Sequence, residues 1–199
     1  MAQIAAGFCE AVERGLADVK LVISDSHAGL TKAIRRQLQG CVWQRCRVHL
    51  ARNLLQRVPK AHQDMVTAAL RSVFAQETAE EIEARWDDLA ASLAERFPKA
   101  AALMHEAKED VLAFRHFPKD HWRKIWSTNL LERVNEEIKR RTRVVGIFPN
   151  DPSIIRLVGA VLLEQHEHWQ LEGRRMFSAE SMAAIPDLES LPALQSASA

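Results

Sequence analysis

Cysteine is scarce in this chain: Cys9, Cys41 and Cys46 are three among 199 residues, and their spacing follows no pattern. An odd, irregular set does not make a disulfide framework, and it fits a reducing compartment, so a cytoplasmic location is expected. No charged-then-apolar leader opens the sequence. No run approaches the roughly 18 apolar residues that a membrane span needs, which sets aside an integral membrane protein. Internal repeats are missing as well. Net charge is nearly missing too, at +1, so the global balance argues neither for nor against a nucleic-acid partner and the local distribution of charge has to decide.

What is present is the profile of a globular protein, with 47% apolar and 27% charged residues. The length suffices for one substantial core, or one core with a helical insertion. Residues 3–16 carry Ile4, Phe8, Val12 and Leu16 on one helical face, closed by Gly15. Leu21-Val22-Ile23 follows as an unalternating apolar run, the pattern of a strand covered on both faces. A helix is expected from Gly29 to Leu38, a second strand over Cys41–Cys46, and a further helix over 48–57. This α-β-α-β-α order predicts part of an α/β sheet with parallel neighbours. From Ala61 to Trp126 the spacing is helical only, with one stripe at Val66, Leu70, Val73 and Phe74 and another at Ile82, Trp86, Leu89 and Leu93. Pro59, Pro98 and Pro118 punctuate the connections. A basic helix is expected over 127–143, stopped at Gly146-Ile147-Phe148-Pro149-Asn150. A last amphipathic helix runs from Ile154 to Trp169, capped by Asp151 or Ser153 with Pro152 in its first turn. The expected division is 1–60, 61–126, 127–180 and a disordered tail over 181–199.

Two carboxylates stand out. Asp25 follows a buried strand, where ligands bind in open α/β sheets, and it is equally a good N-cap for the next helix. Glu132 lies in Ser127-Thr128-Asn129-Leu130-Leu131-Glu132-Arg133, which opens the basic helix with Ser127 or Thr128 as its cap. On that helix Glu132, Glu136, Arg140 and Arg143 share a face, and Lys139, Arg140, Arg141 and Arg143 put four cations within five positions. Two readings stand side by side: a solvated face with Glu–Arg pairs, or a surface for a phosphate backbone. Cys46 and His49 form a Cys-x2-His element without the second ligand pair that zinc requires. They are expected at a strand-to-helix junction beside Asp25. Trp122 and Trp126, four apart, read as a core face, with stacking on a DNA base as the alternative.

Together these segments resemble the Mutator-type transposases of bacterial insertion sequences. The matching pieces are Leu21-Val22-Ile23-Ser24-Asp25-Ser26-His27-Ala28-Gly29-Leu30, Gln44-Arg45-Cys46-Arg47-Val48-His49, and the Ser127–Arg133 run with Lys139-Arg140-Arg141-Thr142-Arg143 and Gly146–Asn150. Gln37, Gln39 and Cys41 depart from the family's usual residues, away from the ligand positions. The resemblance implies an RNase H-like core, incomplete here with two remaining strands, and an all-helical insertion. It implies a DDE triad holding two Mg²⁺ (or Mn²⁺) ions, with Asp25 as second acid and Glu132 as third, and Glu136 and Glu137 as competitors for the latter. Cys46, His49 and Asn129 would support the site, while Arg133, Lys139, Arg140, Arg141 and Arg143 would contact DNA. The implied partners are the element's terminal inverted repeats, target DNA and, in the full-length form, further copies of the protein.

The family's first Asp belongs on a strand well upstream of Asp25, and Asp18 in the turn before that strand cannot serve. The expectation is therefore the C-terminal part of a transposase, truncated at the N-terminus and inactive alone, with an unpaired sheet edge beside Leu21-Val22-Ile23 and poor solubility. Other readings are a non-catalytic DNA-binding or regulatory derivative of a transposase, and a helical protein-interaction module centred on 61–126.

Overall fold

The computed structural model describes residues 2–171 and 176–186. Its elements in chain order are α1 (Ala2–Glu13), β1 (Leu21–Ser24), α2 (Ala28–Gln37), β2 (Val42–Arg45), α3 (Arg47–Leu55), α4 (Gln63–Val73), α5 (Ala79–Ala94), α6 (Pro98–Val111), α7 (Lys119–Ile125), α8 (Asn129–Val145), α9 (Asp151–Leu171) and α10 (Ala179–Ala183). Short 3₁₀ turns at Lys60–His62 and Ala113–His116 lead into α4 and follow α6. The class is α/β and mostly helical. The described chain forms two compact units, one made of Thr128–Ala183 and the other of the residues before and after that stretch. No helix among the described residues is long and apolar enough to cross a membrane.

In the first unit β1 and β2 pair in parallel, with Leu21 opposite Val42 and Ser24 opposite Arg45. The parallel order expected from the sequence is present, because α2 supplies the crossover that parallel neighbours need. The two strands differ in cover. Every residue of β2 is buried, whereas Leu21, Val22 and Ile23 of β1 are half-buried, short of the full cover that their apolar run predicts. Among the described residues β1 pairs only with β2, so it is an edge of the sheet. On one face Ile34 and Leu38 pack with Cys41 and Trp43, joined by Val22 and Leu30. On the other, α6 and the 3₁₀ turn after it lie against β2.

Gln44 joins that second face. It is fully buried, its amide donates to the Val111 carbonyl at 2.7 Å, and its side-chain oxygen accepts from the Phe114 N–H at 2.7 Å. One side chain thus satisfies an orphan carbonyl at the end of α6 and an orphan donor in the following turn, where unpaired polar groups cost most. Beside it the buried Arg45 guanidinium is pushed down by burial, against the pull of Glu106 and Asp110.

The helical region 61–126 packs through the two expected stripes: Val66, Leu70 and Val73 on α4, and Ile82, Trp86, Leu89 and Leu93 on α5, are all buried. A capping box starts α5, with Thr78 and Glu81 exchanging hydrogen bonds with each other's backbone. Pro98 occupies the first turn of α6, where its missing N–H costs nothing.

The second unit is sparse by comparison. No residue of α8 is buried, and Val161 is the one buried residue of α9. Gly146 ends α8 at φ +74°, a left-handed conformation that favours glycine. The cap of α9 is neither Asp151 nor Ser153. The Asn150 carboxamide accepts from the Ser153 N–H at 3.0 Å, because the helix begins at Asp151 and so makes the preceding residue its cap. The expected tail from 181 begins inside α10, which runs to Ala183, and its residues from 187 lie outside the described ones.

Candidate functional site

Asp25 follows β1 directly, at the carboxyl end of a parallel strand, and is exposed. It does not cap α2. That helix starts at Ala28, so the cap position falls to His27, whose Nδ1 accepts from the Leu30 N–H at 3.4 Å. Among the described residues the Asp25 carboxylate has no hydrogen-bond or ion-pair partner. Its backbone is nonetheless held: buried Ser24 donates its hydroxyl to the Asp25 carbonyl at 2.9 Å and accepts from the Trp43 indole N–H at 2.8 Å. A tryptophan on β2 therefore fixes, through one hydroxyl, the backbone from which the acid projects.

Cys46 caps α3 by position, at the junction that follows β2, and its N–H donates to the Ser24 carbonyl at 2.7 Å. This puts Cys46 beside the end of β1, one residue from Asp25. His49 is half-buried one turn along α3. Among the described residues no three His, Cys, Asp or Glu side chains gather as a metal cluster.

Glu132 lies in the second unit, in the first turn of α8, and is half-buried. Thr128 occupies the cap position, but its hydroxyl goes to the Glu132 carboxylate at 3.3 Å and makes no cap to a backbone N–H. Asn129 is exposed at the start of the helix.

The cations of α8 fall into two sets. Arg140 grips Glu137 with two hydrogen bonds, at 2.6 and 2.8 Å, and Arg141 binds Glu137 at 2.8 Å and Glu164 at 3.1 Å. Hydrogen bonds from Arg140 first, and then from Arg141, hold the Glu137 carboxyl down to about 2. The pairs run through Glu137, off the Glu132–Glu136–Arg140–Arg143 face, because Glu137 stands three and four residues before the two arginines. Arg133, Lys139 and Arg143 are exposed and have no carboxylate partner among the described residues.

A second feature escapes a reading of spacing alone. A cavity of about 680 Å³ opens among α3, α4 and α7, all within the first unit. Its aromatic wall is Phe74, Trp122 and Trp126, and its cations are Arg47, Arg71, Lys119 and Arg123. The Arg47 guanidinium lies 3.5 Å from the centroid of the Trp126 ring and 5.0 Å from that of Phe74. Trp122 and Trp126 pack edge-on against buried Phe114, with centroids 5.4 and 6.0 Å away, so they belong to the helical core as expected and also face a cavity. The one available signal was the run of Lys119, Trp122, Arg123 and Trp126 at helical spacing.

Comparison with known proteins gives a consistent answer. The family model described as "Transposase, Mutator family" matches residues 6–172. The transposase for insertion sequence element IS1081 of Mycobacterium tuberculosis is 49% identical over 173 residues, covering 87% of this chain and 41% of the relative. The transposase for ISRM5 of Rhizobium meliloti is 42% identical over 172 residues, covering 85% of this chain and 42% of the relative. The transposase for IS256 in transposon Tn4001 of Staphylococcus aureus is 36% identical over 170 residues, covering 82% and 42%. The chain spans about two fifths of the length of these curated relatives.

Proposed function

The chain belongs to the Mutator family of transposases, and from that membership we propose that it forms part of the catalytic region of an insertion-sequence transposase, which cleaves and joins DNA strands by metal-dependent phosphoryl transfer. In this reading the core is RNase H-like, β1 and β2 are two of its strands, and residues 61–126 are a helical insertion. Asp25 is the second acid of a three-carboxylate set and Glu132 the third. The observation that carries the proposal is Asp25 itself, exposed at the carboxyl end of a parallel strand and not used as a cap.

The donor chemistry fits the implied cofactor. Asp25 and Glu132 offer hard carboxylate oxygens, the ligands that Mg²⁺ and Mn²⁺ favour. Glu137 is a poor competitor because two guanidinium groups occupy its oxygens. When bound, the ions supply activation of water or a DNA 3′-hydroxyl and neutralise charge on the leaving oxygen. The chain's own residues do the positioning. Ser24 and Trp43 set the backbone at Asp25, and Thr128 orients the Glu132 carboxylate. Cys46, His49 and Asn129 support the two acids. Arg133, Lys139 and Arg143 hold phosphates, whereas Arg140 and Arg141 must first be drawn from Glu137. The DNA partners are the element's ends and its target, handled by an oligomer of the full-length protein.

With two acids, this chain alone is expected not to nick or join DNA. The test is a chimera in which it replaces the matching region of the 49%-identical mycobacterial relative. Transposition of that relative's element is expected to survive the exchange, and to disappear with Asp25→Asn or Glu132→Gln while affinity for the element ends is kept. Transposition that persists in both variants overturns the assignment. A non-catalytic DNA-binding derivative gives a third pattern, DNA affinity without transposition in the unsubstituted chimera.

A further inference from the structure

We infer that the cavity among α3, α4 and α7 takes an unpaired nucleotide of a DNA strand, its base among the aromatic rings and its phosphate among the cations. The inference rests on the DNA-handling reading above and adds to it a separate place for one nucleotide outside the duplex.

Three observations converge. The first is chemical: three aromatic residues, Phe74, Trp122 and Trp126, share the lining with Arg47, Arg71, Lys119 and Arg123, and among the described residues no Asp or Glu lines the cavity. The ion pair that a lining residue makes among the described residues is Lys119 with Glu77, 3.8 Å apart and both exposed. Four cations with so little counter-charge favour an anion, and flat rings beside them favour an aromatic body on that anion. A nucleotide is both.

The second is size. About 680 Å³ lies within the range of small-ligand sites and suits one nucleotide. A duplex presents phosphates and groove edges and keeps its base faces stacked on their neighbours, so only an unpaired base brings a ring face into a concave site.

The third is preorganisation. Trp122 is anchored by its indole N–H on the Phe117 carbonyl at 2.8 Å, and Trp126 is wedged between Phe74 and Phe114, with centroids 5.9 and 6.0 Å away. The Trp126 carbonyl in turn accepts from the Arg47 N–H at 3.0 Å, tying the cavity's floor to the junction after β2. Burial, and then the nearby Arg123 charge, bring the Arg47 guanidinium down to about 10, so it stays cationic at neutral pH yet gains from an anion beside it. Rings fixed beforehand lose little entropy when a base stacks on them.

The experiment uses the full chain and three DNA probes of one sequence: a blunt duplex, the same duplex with a short unpaired thymidine flap, and one whose flap is abasic. The flap is expected to bind at least about fivefold more tightly than the blunt end, as one or two stacked bases predict, and the abasic flap to lose most of that gain. Arg71→Glu combined with Arg123→Glu, both at exposed positions, should abolish the flap preference while circular dichroism and blunt-duplex affinity stay unchanged. Trp126→Ala should do the same wherever its thermal unfolding remains cooperative. Equal binding of flap and blunt end, a full gain from the abasic flap, or a preference that survives the double substitution overturns the inference. So does ATP binding as tight as the flap and in competition with it, which marks a free-nucleotide site. Loss of blunt-duplex binding in the parent chain counts against the DNA-handling reading, whereas intact duplex binding without flap preference counts against the cavity alone.

Discussion

β2 and α8 both lie in segments that carry the family resemblance, yet their surroundings are opposite. Each residue of Val42–Arg45 is buried, and no residue of Asn129–Val145 is. In β2 a side chain is defined by what encloses it, so substitutions there should register as stability. In α8 the side chains meet water, one another or α9 and none is buried, so substitutions at its exposed positions should register as binding. Family likeness alone does not separate the two, and burial does.

The sharpest way to break this contrast is Gln44→Ala. It strips the partners from the Val111 carbonyl and the Phe114 N–H in a dry site, where each unsatisfied group costs about 1–3 kcal/mol. A loss of roughly 2–6 kcal/mol in urea unfolding is expected, with DNA affinity of the folded fraction unchanged. A near-neutral result removes β2 from the structural side of the comparison.

Next comes α8. Replacing Arg133, Lys139 and Arg143 with Gln should lower the slope of log affinity for DNA against log salt by about 2.7, as three lost phosphate contacts predict. The unfolding free energy should move by no more than about 0.5 kcal/mol, as for other surface changes. An unchanged salt slope shows that this face is merely solvated.

Ser24→Ala is smaller and links the two kinds of role. It removes the acceptor of the Trp43 indole and the donor to the Asp25 carbonyl, at a cost of about 1–2 kcal/mol. The Asp25 backbone should also gain mobility, read as faster amide exchange at Asp25 and Ser26. Loss of stability without faster exchange confines Ser24 to packing.

The smallest effect concerns acid. The Glu137 carboxyl, ordinarily at 4.5, is held at about 2 by Arg140 and Arg141. Its folded value lies below its unfolded one, so the stabilisation is complete above about pH 4.5 and is lost as pH falls towards 2. Because the group is exposed and screened, the stability change should be slight, and an NMR titration of the Glu137 side chain reads it better. A midpoint near 4.5 shows that the arginines are available to DNA without competition.

The same contrast explains what was legible in the sequence. The helical stripes at Val66–Val73 and Ile82–Leu93 followed from spacing, since burial of one face is a local pattern. The parallel pairing of β1 and β2 followed from the helix between them. Caps were less readable: His27 caps α2, for which Asp25 was one candidate, and Asn150 took the place expected of Asp151 or Ser153, because a shift of a residue or two in a helix start reassigns its cap. The role of Gln44 was out of reach, as its partners lie 67 and 70 residues further on. The cavity was hidden for the same reason, its walls coming from three separate helices. The position of Asp25 at a strand end was readable from the apolar run before it, but its exposure and the Ser24–Trp43 relay behind it were not.

The proposal that Asp25 and Glu132 serve one divalent-ion site is tested most directly by Mn²⁺ titration followed by paramagnetic broadening of their side-chain signals. Broadening of both signals with a single midpoint, abolished at both by Asp25→Asn or by Glu132→Gln, is the predicted result. Broadening of one without the other, or of neither, contradicts it.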